Sequence, residues 1–127
     1  MEKQQFIIDT LKPYFTDVDN CGFEDGTCKY ITLDGRMCAV GVHLDTERED
    51  YKEISSQITT VNCLLAKYGE DILKKESQKI LFPKEWKMMQ SIHDSIAVND
   101  SSNLYIELEI LEKSSGANLS ELRNLIK

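Results

Sequence analysis

The sequence predicts a small α+β fold, a single domain in which one β-hairpin packs against about five or six helices. Three observations carry that prediction. The chain has 127 residues, a single-domain length. The residues around Asp34-Gly35 alternate in the manner of two paired strands. Elsewhere, apolar residues recur at steps of three and four between cap and stop residues. No internal repeat, low-complexity tract or long linker divides residues 1–127.

The first element, residues 2–12, reads as a helix with Phe6, Ile7 and Leu11 on adjoining positions and Pro13 as its end. Tyr14 and Phe15 anchor the exit. The stretch from Asp17 to Gly26 is rich in Asp, Asn and Gly and reads as a loop. Residues 28–33 and 36–44 then read as a hairpin, because Asp-Gly suits a type I′ turn. With residues 34 and 35 as the loop, Ile31 faces Cys38 and Leu33 faces Arg36. Side chains alternate along a strand, so Ile31, Leu33, Cys38, Val40, Val42 and Leu44 share an apolar face. Cys28, Tyr30, Thr32, Met37, Ala39, Gly41 and His43 share the other. In that register Cys28 and Cys38 point to opposite sides and can share neither a metal nor a disulfide.

Thr46-Glu-Arg-Glu49 has the capping-box pattern and opens a helix with a stripe of Tyr51, Ile54, Ile58, Val61 and Leu65. Ser55, Ser56, Thr59 and Thr60 favour a break in its middle, and Gly69 is its stop. Residues 70–81 read as a less regular helix carrying Ile72, Leu73 and Ile80. Pro83 suits the first turn of a helix over 84–98, with Trp86, Met89, His93 and Ile96 on one face and Ile92 beside them. At that spacing Trp86, Met88 and Met89 belong to the core rather than to a cofactor box. Asp100-Ser101 starts a helix near 101–115 that ends at Gly116. The run at 104–111 also alternates, which keeps a strand as its rival; the Asp/Ser start and Gly stop favour the helix. Asn118-Leu-Ser-Glu121 caps a short final helix with Leu119, Leu122 and Leu125.

Acidic residues exceed basic ones by 22 to 15, the net charge is −7 and the pI is near 4.8. Phosphate contacts need clustered Lys and Arg, so this balance argues against direct nucleic-acid binding and against docking on anionic lipid. No apolar run approaches the ~20 residues of a spanning helix. The start lacks the apolar stretch of an export signal, which places the expected compartment in the cytoplasm. There Cys21, Cys28, Cys38 and Cys63 are expected as reduced thiols.

Four constellations could carry chemistry. Cys38 with His93 and Asp94 has the residue types of a cysteine nucleophile, its base and an orienting carboxylate. Against it, adjacent helical positions diverge by about 100°, and Cys38 sits on the apolar hairpin face. No catalytic residue is therefore firm, and the reading leans away from an enzyme. Cys28, His43 and Cys21, with His93, are a metal candidate whose spacing fits no known finger, so no metal or other cofactor is assigned. Tyr30, Arg36, Gly41 and His43 on the second hairpin face offer an aromatic plane, a cation and close backbone approach, and are the candidate binding residues. The acidic stretch Asp45–Asp50 complements the dipole of a helix start, or docks a basic partner.

Two motifs taken together resemble a family of uncharacterised small phage and prophage proteins. Its members show a Cys-x-Tyr strand, an Asp-Gly turn and Cys-Ala-x-Gly, here Cys28-Lys-Tyr30 and Asp34-Gly35-Arg36-Met-Cys38-Ala39-Val40-Gly41. A Leu-Gln-x-x-His-Asp helix follows, here Met89-Gln90-Ser91-Ile92-His93-Asp94, and the resemblance spans most of the chain. Two departures are Val42, where many members have a second Cys, and Met89 in place of Leu. The resemblance implies a phage or mobile-element origin and a bacterial host cytoplasm. By class-level analogy it implies an accessory protein acting by binding, inhibiting a host defence protein or sequestering a small ligand. The alternatives are a cysteine-dependent hydrolase using Cys38 and His93, or a small metal-binding protein. A host protein or small molecule is the expected partner, and excess apolar surface on either hairpin face would support a homodimer.

Overall fold

A computed structural model describes residues 2–57 and 59–126, so Ile58 of the expected apolar stripe lies outside the described residues. Among the described residues the elements are α1 (Glu2–Thr16), β1 (Phe23–Glu24), β2 (Thr27–Cys28), α2 (Tyr51–Ser55), α3 (Val61–Tyr68), α4 (Pro83–Ala97), α5 (Ser101–Ser115) and α6 (Ser120–Arg123). Short 3-10 turns over Val18–Asn20, Gly41–His43, Glu70–Ile72 and Lys75–Ser77 link them. This is the expected α+β architecture, six helices around one two-stranded antiparallel hairpin.

Helix α4 is the hub. It packs against α1, α3 and α5, while α6 closes on α1. Its apolar face, Trp86, Met89, Ile92, His93 and Ile96, is buried as the periodicity requires. Pro83 begins it, and Glu85 accepts the Phe82 N–H at 2.8 Å, satisfying a donor that the helix start leaves open. Glu85 itself is fully buried and is met by Lys3 Nζ at 3.0 Å. Helix α5 ends on Gly116 at φ 76°, a left-handed residue that glycine adopts without a Cβ clash. The stretch 104–111 is therefore helix, with Leu104, Leu108 and Leu111 buried. No helix among the described residues is long and apolar enough to cross a membrane.

Three boundaries differ from expectation. Helix α1 runs past Pro13 to Thr16, because burial of Tyr14 and Phe15 holds the last turn in place. Pro13 still donates nothing, but its carbonyl accepts from Asp17 N–H, Thr16 Oγ1 and Asn20 Nδ2. Thr46 caps no helix: Asp45 Oδ1 takes the Glu47 N–H instead and Arg48 pairs with Asp50 at 2.8 Å, so α2 starts at Tyr51. Residues 70–81 form 3-10 turns, tied down by the Leu44–Leu73 bridge and the Lys74 N–H to His43 O bond.

The hairpin is also misplaced by the sequence reading. The paired strands flank Asp25-Gly26, with Phe23 opposite Cys28 and Glu24 opposite Thr27. Around Asp34-Gly35 the chain does reverse, but the pairing is one bridge, Ile31 with Met37. Beyond it, Cys38, Ala39, Val40 and Gly41 are buried in succession, which no half-exposed strand permits. Val42 N–H returns to Cys38 O and His43 N–H to Val40 O, so this segment coils. Leu33, expected on the apolar face, is 97% exposed.

Candidate functional site

Coiling of residues 38–43 brings together what an extended strand would have separated. Gly41 makes it sterically feasible: a Cβ there would lie 1.9 Å from the Tyr30 carbonyl oxygen. Gly22 makes a second close approach, since its Cβ would meet Cys38 N at 2.4 Å and Lys29 O at 2.8 Å. With both segments pressed together, Cys28 and Cys38 come close enough for each thiol to shift the other's pKa. The expectation that these two cysteines face opposite sides is therefore corrected, and the cause is the missing ladder.

The site grows from this pair. Cys38 is fully buried, and its sulfur accepts the Gly41 N–H at 3.3 Å. Burial pushes its pKa up, but hydrogen bonds from the Cys28 thiol and from the Gly41 and Val40 N–H groups outweigh burial and hold it below the ordinary thiol range. Cys28 is half-buried and its pKa is raised, first by donating to Cys38 and then by burial and Asp94. Gln90 Nε2, from α4, donates to Cys28 Sγ and to Asp94 Oδ1, the latter at 3.0 Å. Its Oε1 is buried without a partner among the described residues. Cys21 stands nearby with its thiol pushed up to about 11 by burial.

His93 and Asp94 meet despite their adjacency. The imidazole is fully buried and Asp94 folds back to it, Nδ1 to Oδ1 at 2.9 Å. The Gly22 N–H donates to His93 Nε2 at 3.0 Å, so Nε2 carries no proton and Nδ1–H donates to Asp94. Both ring nitrogens are thus committed, and neither is free to take a proton from a thiol. The predicted Cys38–His93–Asp94 set is gathered into one neighbourhood, but Cys38 has no exposed surface on which to meet a substrate.

Cys28, His93 and Asp94 present ligand atoms within 4.8 Å of one another. A metal on Nδ1 would require the proton on Nε2, where it would oppose the Gly22 N–H. A ligating histidine normally donates its second nitrogen to an acceptor. This donor set does not suit a metal ion.

The predicted binding residues divide between two faces. Tyr30 donates its hydroxyl to Thr59 O at 2.7 Å and, with Cys28, Gln90 and Asp94, lines a cleft of about 500 Å³. Arg36 and His43 line a separate groove of about 710 Å³ beside α1. Gly41 is buried against Tyr30 and lines neither. Thr10 donates its hydroxyl to Phe6 O at 2.8 Å, so it accepts from His43 Nε2–H, and Ser77 donates to Nδ1 at 2.9 Å. Phe6 stacks on the ring at 4.6 Å. Burial, helped by Lys74 and opposed by Glu76, lowers the His43 pKa to about 4. It is a packed neutral histidine on a different face from His93.

Gln90 and Gly22 are the residues whose roles the hairpin reading missed. The Gln-x-x-His-Asp spacing was the available signal, since i and i+4 on a helix are neighbours and put Gln90 beside Asp94. No family model, curated protein or solved structure matches this chain.

Proposed function

We propose that this is an accessory protein of the phage or mobile-element type that acts by binding, and that its ligand seats in the cleft over Cys28. The observation that carries the reading is the convergence there of both motifs: Cys28 and Tyr30 from the first, Gln90 and Asp94 from the second. The cleft has the volume of a small-molecule site. Tyr30 and Val61 offer apolar wall and Asp94 a carboxylate, so a small polar ligand with N–H or O–H donors fits its chemistry. Binding is favoured over a cysteine hydrolase because the Cys38 thiol is fully buried and both nitrogens of the nearby imidazole are engaged.

The test compares the wild type with Thr27→Trp, which fills the cleft from an exposed strand position whose side chain makes no hydrogen bond in the structure. Both proteins are exposed to bacterial metabolite extract and examined by native mass spectrometry. The reading requires a small molecule retained by the wild type and lost from the variant. Retention of nothing, or equal retention by both, overturns it.

A further inference from the structure

Granting a ligand in the cleft over Cys28, as proposed above, we infer that it is a dipeptide-sized zwitterion, its ammonium held at Asp94 and its carboxylate at Lys87. The charged wall of the cleft is α4. Lys87, Gln90, Ser91 and Asp94 line it, and positions i, i+3, i+4 and i+7 share one helical face. The residues that line the rest of the cleft are Thr, Cys, Tyr, Gln and Val, so one base and one acid on a single helix supply its formal charges.

Neither charge is satisfied within the chain. Among the described residues Lys87 makes no ion pair. Asp94 Oδ1 accepts from His93 Nδ1 at 2.9 Å and from Gln90 Nε2 at 3.0 Å. Both donors are neutral, because the Gly22 N–H bound to Nε2 leaves the imidazole a single proton. Asp94 Oδ2 accepts no hydrogen bond among the described residues, and the side chain is 42% exposed. A carboxylate held in place by two donors, with its second oxygen open to the cleft, is preorganised for an ammonium group.

One charge of each sign on the same face selects the ligand by exclusion. A diamine puts its second cation beside Lys87, and a dicarboxylate puts its second anion beside Asp94. The spacing sets the length. Seven residues of helix rise about 10.5 Å. Two charge-assisted hydrogen bonds of about 2.8 Å each leave roughly 5 Å between the ligand's own charges. A free α-amino acid, whose ammonium and carboxylate share one carbon, is too short. A dipeptide, with its Cα atoms about 3.8 Å apart, spans the gap. The Thr60 hydroxyl puts no cap on the start of α3 and is left for the ligand's peptide group. A cleft of about 500 Å³ holds a molecule of this size.

The test uses the full chain and native mass spectrometry at low ionic strength, with a pool of dipeptides of neutral side chains as the probe. The same pool acetylated at its amines, and the same pool amidated at its carboxylates, are run beside it. The wild type should retain the free pool about tenfold or more better than either blocked pool, since each block removes one charged contact. Lys87→Glu changes an exposed side chain that makes no ion pair in the structure, and it should reverse the order. The variant loses the free pool and retains the amidated one, whose lone cation then lies between two carboxylates. Failure of the wild type to retain the free pool, equal retention of a blocked pool, or an order unchanged in Lys87→Glu would each overturn the assignment. The cleft itself is judged separately. A molecule of another class, taken from the extract by the wild type and lost from Thr27→Trp, leaves the cleft standing and removes the dipeptide. A free pool held equally by Thr27→Trp removes both.

Discussion

The chain contains two Asp-Gly turns nine residues apart, and they end differently. At Asp25-Gly26 both residues take positive φ, 55° and 75°, and a ladder forms on either side. At Asp34-Gly35 only the glycine does, at 89°. Asp34 instead accepts from Thr32 Oγ1 and from Arg36 Nε, and the Gly35 N–H returns to Thr32 O. The arms beyond that turn make one bridge and part. The dipeptide marks where a chain reverses. The residues on the arms decide whether a sheet follows. Past the first turn the Lys29 N–H reaches Gly22 O and continues the pairing, whereas past the second the Gly41 N–H goes to the Cys38 sulfur.

The largest effect should come from breaking the second arm where it coils. In Gly41→Ala the new methyl would occupy the place of the Tyr30 carbonyl oxygen, and that oxygen belongs to backbone that cannot swing aside. A loss of about 3 kcal/mol or more, or failure to fold, is expected in urea denaturation. A variant within about 1 kcal/mol of wild type would mean that Gly41 and Tyr30 are not pressed together.

The next effect concerns what the second arm delivers, His43. Its folded pKa, about 4, lies below the ordinary histidine value, so the unfolded chain takes up a proton first as pH falls. Stability from this group is complete above the unfolded value and drains away between there and about pH 4. Between pH 7 and pH 5 the loss from His43 should be about 2 kcal/mol, read as a fall in the urea midpoint. His43→Gln should flatten that slope, while a slope unchanged in the variant would remove His43 as its source.

These two positions also show what could be read in advance. The helical half of the fold was legible, because burial at steps of three and four, Pro83 at a start and Gly116 at a stop are local signals. The coiling of 38–43 was not. Cys-Ala-Val-Gly-Val alternates well enough for a strand, and what overrides it is non-local: Tyr30 against Gly41, Gly22 against Cys38, and the sulfur that takes a backbone donor. The site inherits the same division. Cys38, His93 and Asp94 were named as a group from residue types alone. Their actual relation, with Cys28 outermost and His93 facing Gly22, follows from contacts that span up to 71 residues.

A smaller effect tests the first turn. Gly26→Ala meets no atom within 4 Å, so its cost is the left-handed backbone alone, about 1 kcal/mol. Gly35→Ala is in the same position, with φ positive and open space around it. Equal midpoint shifts from the two would show that both turns are valued as reversals. A markedly larger shift at Gly26 would show that the ladder it supports adds to its cost.

The smallest effect separates the turns by their side chains. Asp34 and Arg36 are solvent-facing, and hydrogen bonds from Thr32 and Arg36 lower the Asp34 pKa. Exposed ion pairs contribute little and weaken further in salt. Asp34→Ala should therefore move the urea midpoint less than Gly35→Ala does. Asp25→Ala removes no such bonds, yet leaves a residue with a Cβ at φ 55° without the side chain that best tolerates it. If Asp34→Ala proves the costlier of the two aspartate variants, the second turn is held by its side chains. If Asp25→Ala does, backbone conformation is what distinguishes a turn that seeds a hairpin from one that only reverses the chain.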